Sequence, residues 1–305
     1  MEKIPENTST RPRHELTHQV ISALRDDPRM SVTAIAQNLQ APRAVVAQTV
    51  DSLLSSDTIR IVAAVNPSFL GIHVIAHVSI EPRGPVTPIA EFIASLHESV
   101  LVTSITGSHS VVAELRTGTH ADLHSLLSEI RLHSNVARID TLIYSNVRKG
   151  YHSSRDVSEV RIDDADREIM EILQRDGRAS YTSISPRVSL TATTVRSRIQ
   201  RLEEAQVIQF GVVESRGVTG RQVSVGFGIN SSDSLEPLIG HLKEHSDVEF
   251  VAECVGRFDV IGTLVSKDFQ TIHERIESIL SLPSIDKFET WTHIHTHKED
   301  YSRRV

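Results

Sequence analysis

Four arginines, at positions 187, 196, 198 and 201, fall within the stretch from Arg187 to Leu202, which holds no aspartate or glutamate. Guanidinium groups without neighbouring carboxylates suit phosphate oxygens and the paired acceptors on a guanine edge, so this segment is a candidate surface for reading a polyanion. Two other clusters carry chemistry. The string Gly256-Arg257-Phe258-Asp259 combines a glycine, beside which a small molecule can approach the backbone, with a carboxylate able to pair with an ammonium group; a plain hairpin turn capped by the aspartate is the alternative. His293-Ile294-His295-Thr296-His297 sets three imidazoles at alternate positions, which on a strand face one side and suit metal binding or a pH response. Same-face neighbours on a strand lie about 7 Å apart, so one zinc ion would be hard to ligate with all three, and histidines facing an interface or solvent are the plainer reading. His73 and His77 alternate in the same way on an earlier strand and can reach the same interface. No metal and no cofactor are expected.

The elements that position these residues follow from a repeat. An offset of 149 residues aligns the two halves of the chain, without a gap, from about residue 20 to residue 149. Leu24, Asp27, Arg29, Ser31, Thr33 and Ile35 recur as Leu173, Asp176, Arg178, Ser180, Thr182 and Ile184; Gly107, His124 and Lys149 recur as Gly256, His273 and Lys298. A period of this size joins two domain-sized units, unlike the short repeats of a solenoid. In the second unit Ile169, Ile172 and Leu173 sit at helical spacing behind Asp163, Asp164 and Asp166, acids that suit a positive helix N-terminus. A short helix starts near Ser180, a turn spans Val188 to Leu190, and a third helix runs from about Thr191 to Ala205. Its inward stripe is Val195, Ile199 and Leu202; Thr193, Arg196, Ser197, Gln200 and Arg201 point outward, and Arg198 flanks the core. The corresponding helices of the first unit fall near 14–26, 31–39 and 42–55.

Each unit then changes period. Ile72-Val74-Ala76-Val78-Ile80 alternates as a half-buried strand does, Val223-Val225-Phe227-Ile229 repeats it, and helices and strands follow in the order βαββαβ. The predicted fold class is therefore α+β, with two tandem units, each a tri-helical helix-turn-helix domain plus a ferredoxin-like βαββαβ sensing domain. The expected divisions are a flexible tail over 1–13, a helix-turn-helix domain over 14–65, a ferredoxin-like domain over 66–150, a linker over 151–162, and the second pair over 163–215 and 216–305. Each sheet has one open face, and the other copy's sheet is its expected cover, as an intrachain pseudo-dimer.

Composition narrows the function. With 305 residues and 39% hydrophobic content the chain supports several ordinary cores. It lacks a run of roughly 18 apolar residues, and Met1 to Arg13 holds no apolar signal core, so a cytoplasmic protein away from membranes is expected. The net charge of −7 argues against coating nucleic acid by bulk attraction and leaves local patches to do any binding. The single cysteine, Cys254, excludes an intrachain disulfide and a multi-cysteine zinc site and reads as a small buried residue on a strand. No phosphate-binding loop, nucleophile elbow, H-E-x-x-H or dinucleotide fingerprint is present, so a non-enzyme is expected.

The second unit resembles the leucine-responsive/asparagine-type (Lrp/AsnC) regulators. The resemblance rests on Asp163-x-x-Asp166-x-x-Ile169-x-x-x-Leu173-x-x-Asp176-Gly177-Arg178, on Thr194-Val195-x-x-Arg198-Ile199-x-x-Leu202-Glu203 with Val207-Ile208, and on Gly256-Arg257-Phe258-Asp259. It implies control of transcription, association through the sensing domains, and an amino acid or related metabolite as effector near Gly256, Phe258 and Asp259. The first unit departs from the pattern, with Ala47, Thr49 and Ser52 where the second has Arg196, Arg198 and Arg201. Its window from Asn38 to Leu53 sets Arg43 against Asp51. Double-stranded DNA is thus expected to be read mainly by Arg187, Thr193, Arg196, Ser197, Arg198, Gln200 and Arg201 of the second unit, provided the guanidinium groups face outward. With one strong reader per chain, a homodimer or larger assembly is expected on a symmetric operator. A competing reading is an enzyme on the same scaffold: siroheme decarboxylases combine the same two domains, and His109 beside the central turn keeps that reading open. Their tyrosine-asparagine-leucine-tryptophan strand is replaced here by Val111-Val112-Ala113 and Val260-Ile261-Gly262. A third reading is a co-regulator that has lost DNA binding, which fits the first reader but not the second.

Overall fold

The computed structural model describes residues 11–300 except 57, 108, 151–159 and 215–222; most of the expected tail and linker lies outside these. The chain is a mixed α/β protein. It opens with α1 (Arg11–Asp26), α2 (Val32–Asn38), α3 (Arg43–Ser55) and strand β1 (Ile59–Val65). The first helix begins at Arg11, three residues earlier than expected, inside the segment that the sequence assigns to the tail. After a single 3-10 turn at Pro67–Leu70 come β2 (Val74–Pro82), α4 (Val86–Ser95), β3 (Ser99–Ile105), β4 (Val111–Thr117), α5 (His120–Leu132) and β5 (Val136–Lys149). The order is then repeated by α6 (Asp164–Arg175), α7 (Tyr181–Ile184), α8 (Ala192–Glu204) and β6 (Ile208–Glu214), followed by β7 (Val223–Ser231), α9 (Leu235–Glu244), β8 (Val248–Val255), β9 (Val260–Ser266), α10 (Phe269–Leu280) and β10 (Ile285–Glu299).

Local chemistry explains the short helices. Ser31, Ser180 and Thr191 each accept a hydrogen bond from the backbone N–H three residues on, satisfying a donor that the first turn leaves orphaned. Asp163 and Asp166 do so reciprocally at the start of α6. The two three-helix groups are joined by an antiparallel ribbon of β1 and β6, in which Val62 lies opposite Gly211, the residue one repeat away. A local two-fold relation therefore passes between these two residues. Arginines obey it as well: Arg29 Nη2 donates to the carbonyl of Ala179 at 3.0 Å, and its repeat-mate Arg178 donates to the carbonyls of Pro28 and Met30, both at 3.0 Å. The ribbon exchanges core residues, since Ala63 and Val65 of β1 pack with the second group and Val212 of β6 with the first.

The remaining eight strands close into one barrel in the order β10-β3-β4-β2-β5-β8-β9-β7. Each sheet's open face is covered by the other unit's sheet, as expected, and the length of the last strand of each unit adds an edge closure that the sequence does not predict. Over its first part β5 pairs with β2, through Ile139 opposite Ile80, and from Ile143 onward it pairs with β8 of the other unit. β10 likewise passes from β7 to β3. Among the described residues, closure leaves the barrel without an unpaired edge. Helices α4 and α5 cover one apolar layer and α9 and α10 another, while a third cluster, including Leu142, Phe258, Ile261 and Trp291, fills the barrel interior.

Glycines let aromatic rings cross that interior. A methyl group on Gly228 would lie 2.4 Å from the ring of Phe258, which is fully buried and has nowhere to move. Gly240, on the exposed face of α9, has nothing within 4 Å. Gly228→Ala is therefore expected to destabilise the protein by about 1–3 kcal/mol through overpacking, and Gly240→Ala to stabilise it by about 0.5–1 kcal/mol through helix propensity. Opposite shifts of the thermal midpoint check both.

Candidate functional site

Inside the barrel lies a narrow cavity that offers about 70 Å³ to the centres of water-sized molecules. Its walls come from both units: Ile75, Leu101 and Val112 on one side, Phe250, Ile261 and Trp291 on the other. Polar groups enter from both units, His77, Glu114, Arg116 and Tyr144 from the first and Glu249, Thr263 and His293 from the second. Glu114 and Arg116 alternate along β4 and point inward, with Arg116 Nε and Nη2 donating to Glu114 Oε1 at 2.8 and 2.7 Å. His77 on β2 is buried, shares a 3.3 Å hydrogen bond with Ser79, and lies 5.7 Å from the Trp291 ring. Burial, reinforced by the positive charge of Arg257, pushes the His77 imidazole down to about 3, so it is neutral at physiological pH. Sequence reasoning singles out His77 but misses Glu114 and Arg116. Two opposite charges at alternate positions in an otherwise apolar strand are the signal that finds them.

At the turn expected to hold an effector, Gly256 is exposed, Asp259 half-buried and Phe258 buried. Phe258 is fully buried beneath Arg257, whose guanidinium sits 4.5 Å above its ring, so it packs as a core residue. Gly256 abuts β5: a methyl group there would lie 2.5 Å from Leu142 Cδ2. Asp259 Oδ2 accepts from the backbone of Ser231 at 3.0 Å and from Asn230 Nδ2 at 3.4 Å, fastening the turn to the end of β7. At the pseudo-equivalent turn, His109 Nε2 lies 2.8 Å from Asp140 Oδ2. Cys254, partly buried on β8, has its thiol pushed up to about 12 by burial.

The histidine ladder is broken as well. A register shift between His293 and His295 re-aims the strand. His293 lines the cavity, whereas His295 and His297 stack edge to face at 4.7 Å and His297 Nε2 bonds Ser104 Oγ at 2.8 Å. Burial and the neighbouring His295 lower the His297 pKa. The expectation of three imidazoles on one face is therefore corrected, and no group of three metal-ligating side chains is gathered among the described residues.

The cationic segment sits on α8. Val195, Ile199 and Leu202 are buried against α6 and β1, while Thr193, Arg196, Ser197 and Gln200 are exposed on the opposite face, with Arg187 exposed in the preceding turn. Arg187 and Arg196 make no ion pair with a described residue. Arg198 and Arg201 behave differently, which corrects their reading as free groove contacts. Arg198 Nη1 reaches Asp163 at 2.7 Å and Asp166 at 2.9 Å, and Arg201 Nη2 bonds the other Asp166 oxygen. Asp166 is only 1% exposed, so these guanidinium groups serve first to satisfy a buried carboxylate and to fix α8 on α6. Half of the Arg201 side chain stays open to solvent and a quarter of Arg198. A helical wheel of α8 alone does not contain the partner helix, and by their position in the sequence the acids at 163 and 166 are helix caps only. In the first unit the exposed Arg43 bonds Thr33 at 3.2 Å.

The clamp leaves a pH signature. Hydrogen bonds from Arg198 hold the Asp163 carboxyl at about 2, below the ordinary value of about 3.9. A depressed folded-state value adds stability that is complete above pH ~4 and is lost as pH falls towards 2. Arg198→Ala is expected to cost on the order of 1–3 kcal/mol at neutral pH, mainly by leaving Asp166 short of a donor. The stability gap from wild type should narrow below pH ~4, as read by denaturant titration across the acid range.

Residues 162–203, which contain α6 to α8, match the AsnC-type helix-turn-helix domain. The HTH-type transcriptional regulator FL11 of Pyrococcus abyssi is 27% identical over 142 residues, 46% of this chain and 94% of that protein. A second HTH-type transcriptional regulator, of Pyrococcus furiosus, is 28% identical over 147 residues, 47% of this chain and 97% of its own length. Among solved structures, the siroheme decarboxylase NirDL superposes over 93% of both chains with a TM-score of 0.61 and 13% identity, a likeness of fold. No helix among the described residues is long and apolar enough to cross a membrane. The chain thus contains a segment that matches the AsnC-type helix-turn-helix domain and is similar, over about one unit's length, to HTH-type transcriptional regulators.

Proposed function

We propose that the chain regulates transcription by binding duplex DNA mainly through its second helix-turn-helix domain, under the control of a small molecule of the amino-acid class. The same reading divides it into two tandem units, each a helix-turn-helix domain followed by a βαββαβ sensing domain. The observation that carries it is the exposed face of α8 within the matched segment: Thr193, Arg196, Ser197 and Gln200, flanked by Arg187, stand opposite a fully buried stripe. With Arg198 engaged by Asp163 and Asp166, the cations committed to DNA are Arg187 and Arg196, with Arg201 adding its exposed half. The first reader offers Arg43 against Asp51, so the ribbon of β1 and β6 relates one cationic helix to one neutral helix. A symmetric operator then calls for two chains, each contributing its strong reader to one half-site.

The fold likeness to a siroheme decarboxylase supplies the competing reading. That enzyme has been crystallised with an iron-uroporphyrin III analogue. A porphyrin ringed by carboxylates needs several cations, and the one arginine lining the barrel cavity here is already paired with Glu114. The cavity chemistry therefore favours a smaller, near-neutral occupant.

Operator fragments from the gene's own upstream region provide the test. Arg196→Ala is expected to weaken binding strongly and to reduce the slope of log affinity against log salt by about 0.9 for each phosphate it ceases to neutralise. Arg43→Ala should change neither, and equal reductions in the two variants would overturn the asymmetry. Adding an iron-uroporphyrin should leave its absorbance spectrum unchanged; a shifted band that depends on His77 would favour the enzyme.

A further inference from the structure

The barrel closes along two seams, β5 on β8 and β10 on β3, and the two are fastened differently. At the first, Arg148 reaches across to the opposite unit. Its guanidinium donates to both carboxylate oxygens of Glu236 on α9, at 2.8 and 2.7 Å, and to Glu253 on β8. Hydrogen bonds from Arg148 hold Glu236 below the ordinary carboxylate range, so this clamp stays charged through the range in which histidines titrate. At the second seam the repeat-equivalent residues are His297 for Arg148, Ser104 for Glu253 and Thr87 for Glu236. An ionic clamp is replaced there by one hydrogen bond, 2.8 Å between His297 Nε2 and Ser104 Oγ.

The exchange is local. Lys149 and its repeat-mate Lys298 act alike at the two strand ends: Lys149 Nζ donates to the carbonyl of His245 at 2.7 Å, and Lys298 Nζ to that of Leu96, the equivalent residue, at 2.8 Å. Few charges face His297. On its own strand His295 lies edge to face with it at 4.7 Å, and Glu299 follows two residues on. Strand β3 carries no titratable residue, and the one charged residue of α4, which packs on β10, is Glu91. Burial, then the neighbouring His295, hold the His297 ring below its ordinary value of 6.5, and Glu91 opposes them only in part. A histidine depressed in this way contributes stability that is complete above about pH 6.5 and is lost as pH falls below it.

We propose that the barrel is built with one fixed seam and one proton-sensitive latch: β5 stays bound to β8, while the end of β10 parts from β3 when His297 takes up a proton. Leu101 of β3 and His293 of β10 stand on the two sides of this seam and both line the barrel cavity, so the latch opens the cavity from one side. β10 remains held by β7 from Ile285 to Thr292, which confines the movement to its last part. The latch belongs to the barrel and is independent of what the helix-turn-helix domains bind.

Hydrogen–deuterium exchange of the full chain, read by mass spectrometry at pH 7.5 and 5.5 and corrected for the intrinsic effect of pH on exchange, tests this. In the wild type the amides of residues 293–299 and of β3 are expected to exchange up to about tenfold faster at pH 5.5, the limit that one group titrating a pH unit above the medium allows. Those of residues 143–149 and of β8 should exchange at an unchanged rate. His297→Gln, which keeps a polar side chain and cannot charge, should remove the difference. His297→Arg combined with Ser104→Glu, which copies the pairing of the other seam, should remove it as well and guards against a folding defect in the single variant. His293→Gln should retain it. No acceleration at the β10–β3 seam of the wild type, equal acceleration at both seams, a difference that persists without His297, or one lost equally in His293→Gln would overturn the latch.

Discussion

Unpaired backbone groups at the edge of a sheet must find partners, and here they find them in the other half of the same chain. Strands β5 and β10 are long enough to pair with their own unit over one half and with the opposite unit over the other. That single excess of length converts two four-stranded sheets into a closed barrel. It also fixes where everything else can lie. The inner faces enclose a shared cavity, the outer faces accept four helices, and the ends of the long strands arrive next to the helix-turn-helix groups. The ribbon of β1 and β6 performs the same closure on a smaller scale, with Val62 opposite Gly211 and each strand delivering apolar residues to the other group's core.

Covalent joining of two such units frees them to differ. In a homodimer every change appears twice, so an interior ion pair would be matched by a second across the axis, and its like charges would crowd one cavity. In this chain Glu114, Arg116 and His77 face Thr263, Val265 and Gly226 across the pseudo-symmetry instead. The DNA-reading side is divided the opposite way, with exposed arginines on α8 and none at the matching positions of α3. On the proposed function the first unit keeps the interior Glu114–Arg116 pair and the second keeps the contacts to the duplex.

What was legible in the sequence was whatever is encoded locally or by repetition. The helix starts at Ser31, Ser180 and Thr191 follow from one side chain and one backbone donor three residues away. The 149-residue offset required only comparison of the two halves. The failures all involve a partner distant in the chain. Arg198 and Arg201 look free until α6 brings Asp166 beneath them, the histidine ladder looks one-sided until a register shift turns it, and Phe258 looks like a ligand contact until β10 places Trp291 against it. Barrel closure was likewise hidden, because strand length alone does not say which edge a strand will cross to.

The corrected arginines sharpen the physical account of binding. On the proposed function, tethering two of the four to Asp163 and Asp166 leaves each α8 fewer phosphate contacts, and affinity then depends on placing two readers in register with two half-sites at once. Register is set by how each helix-turn-helix pair sits on its barrel, at the joint lined by Arg25, Lys149 and Gln209. An occupant of the barrel can alter DNA binding only to the extent that it favours one geometry of that joint over another. Because Gly150 and Glu249 line both the barrel cavity and that joint, it is there that such a preference would be exerted.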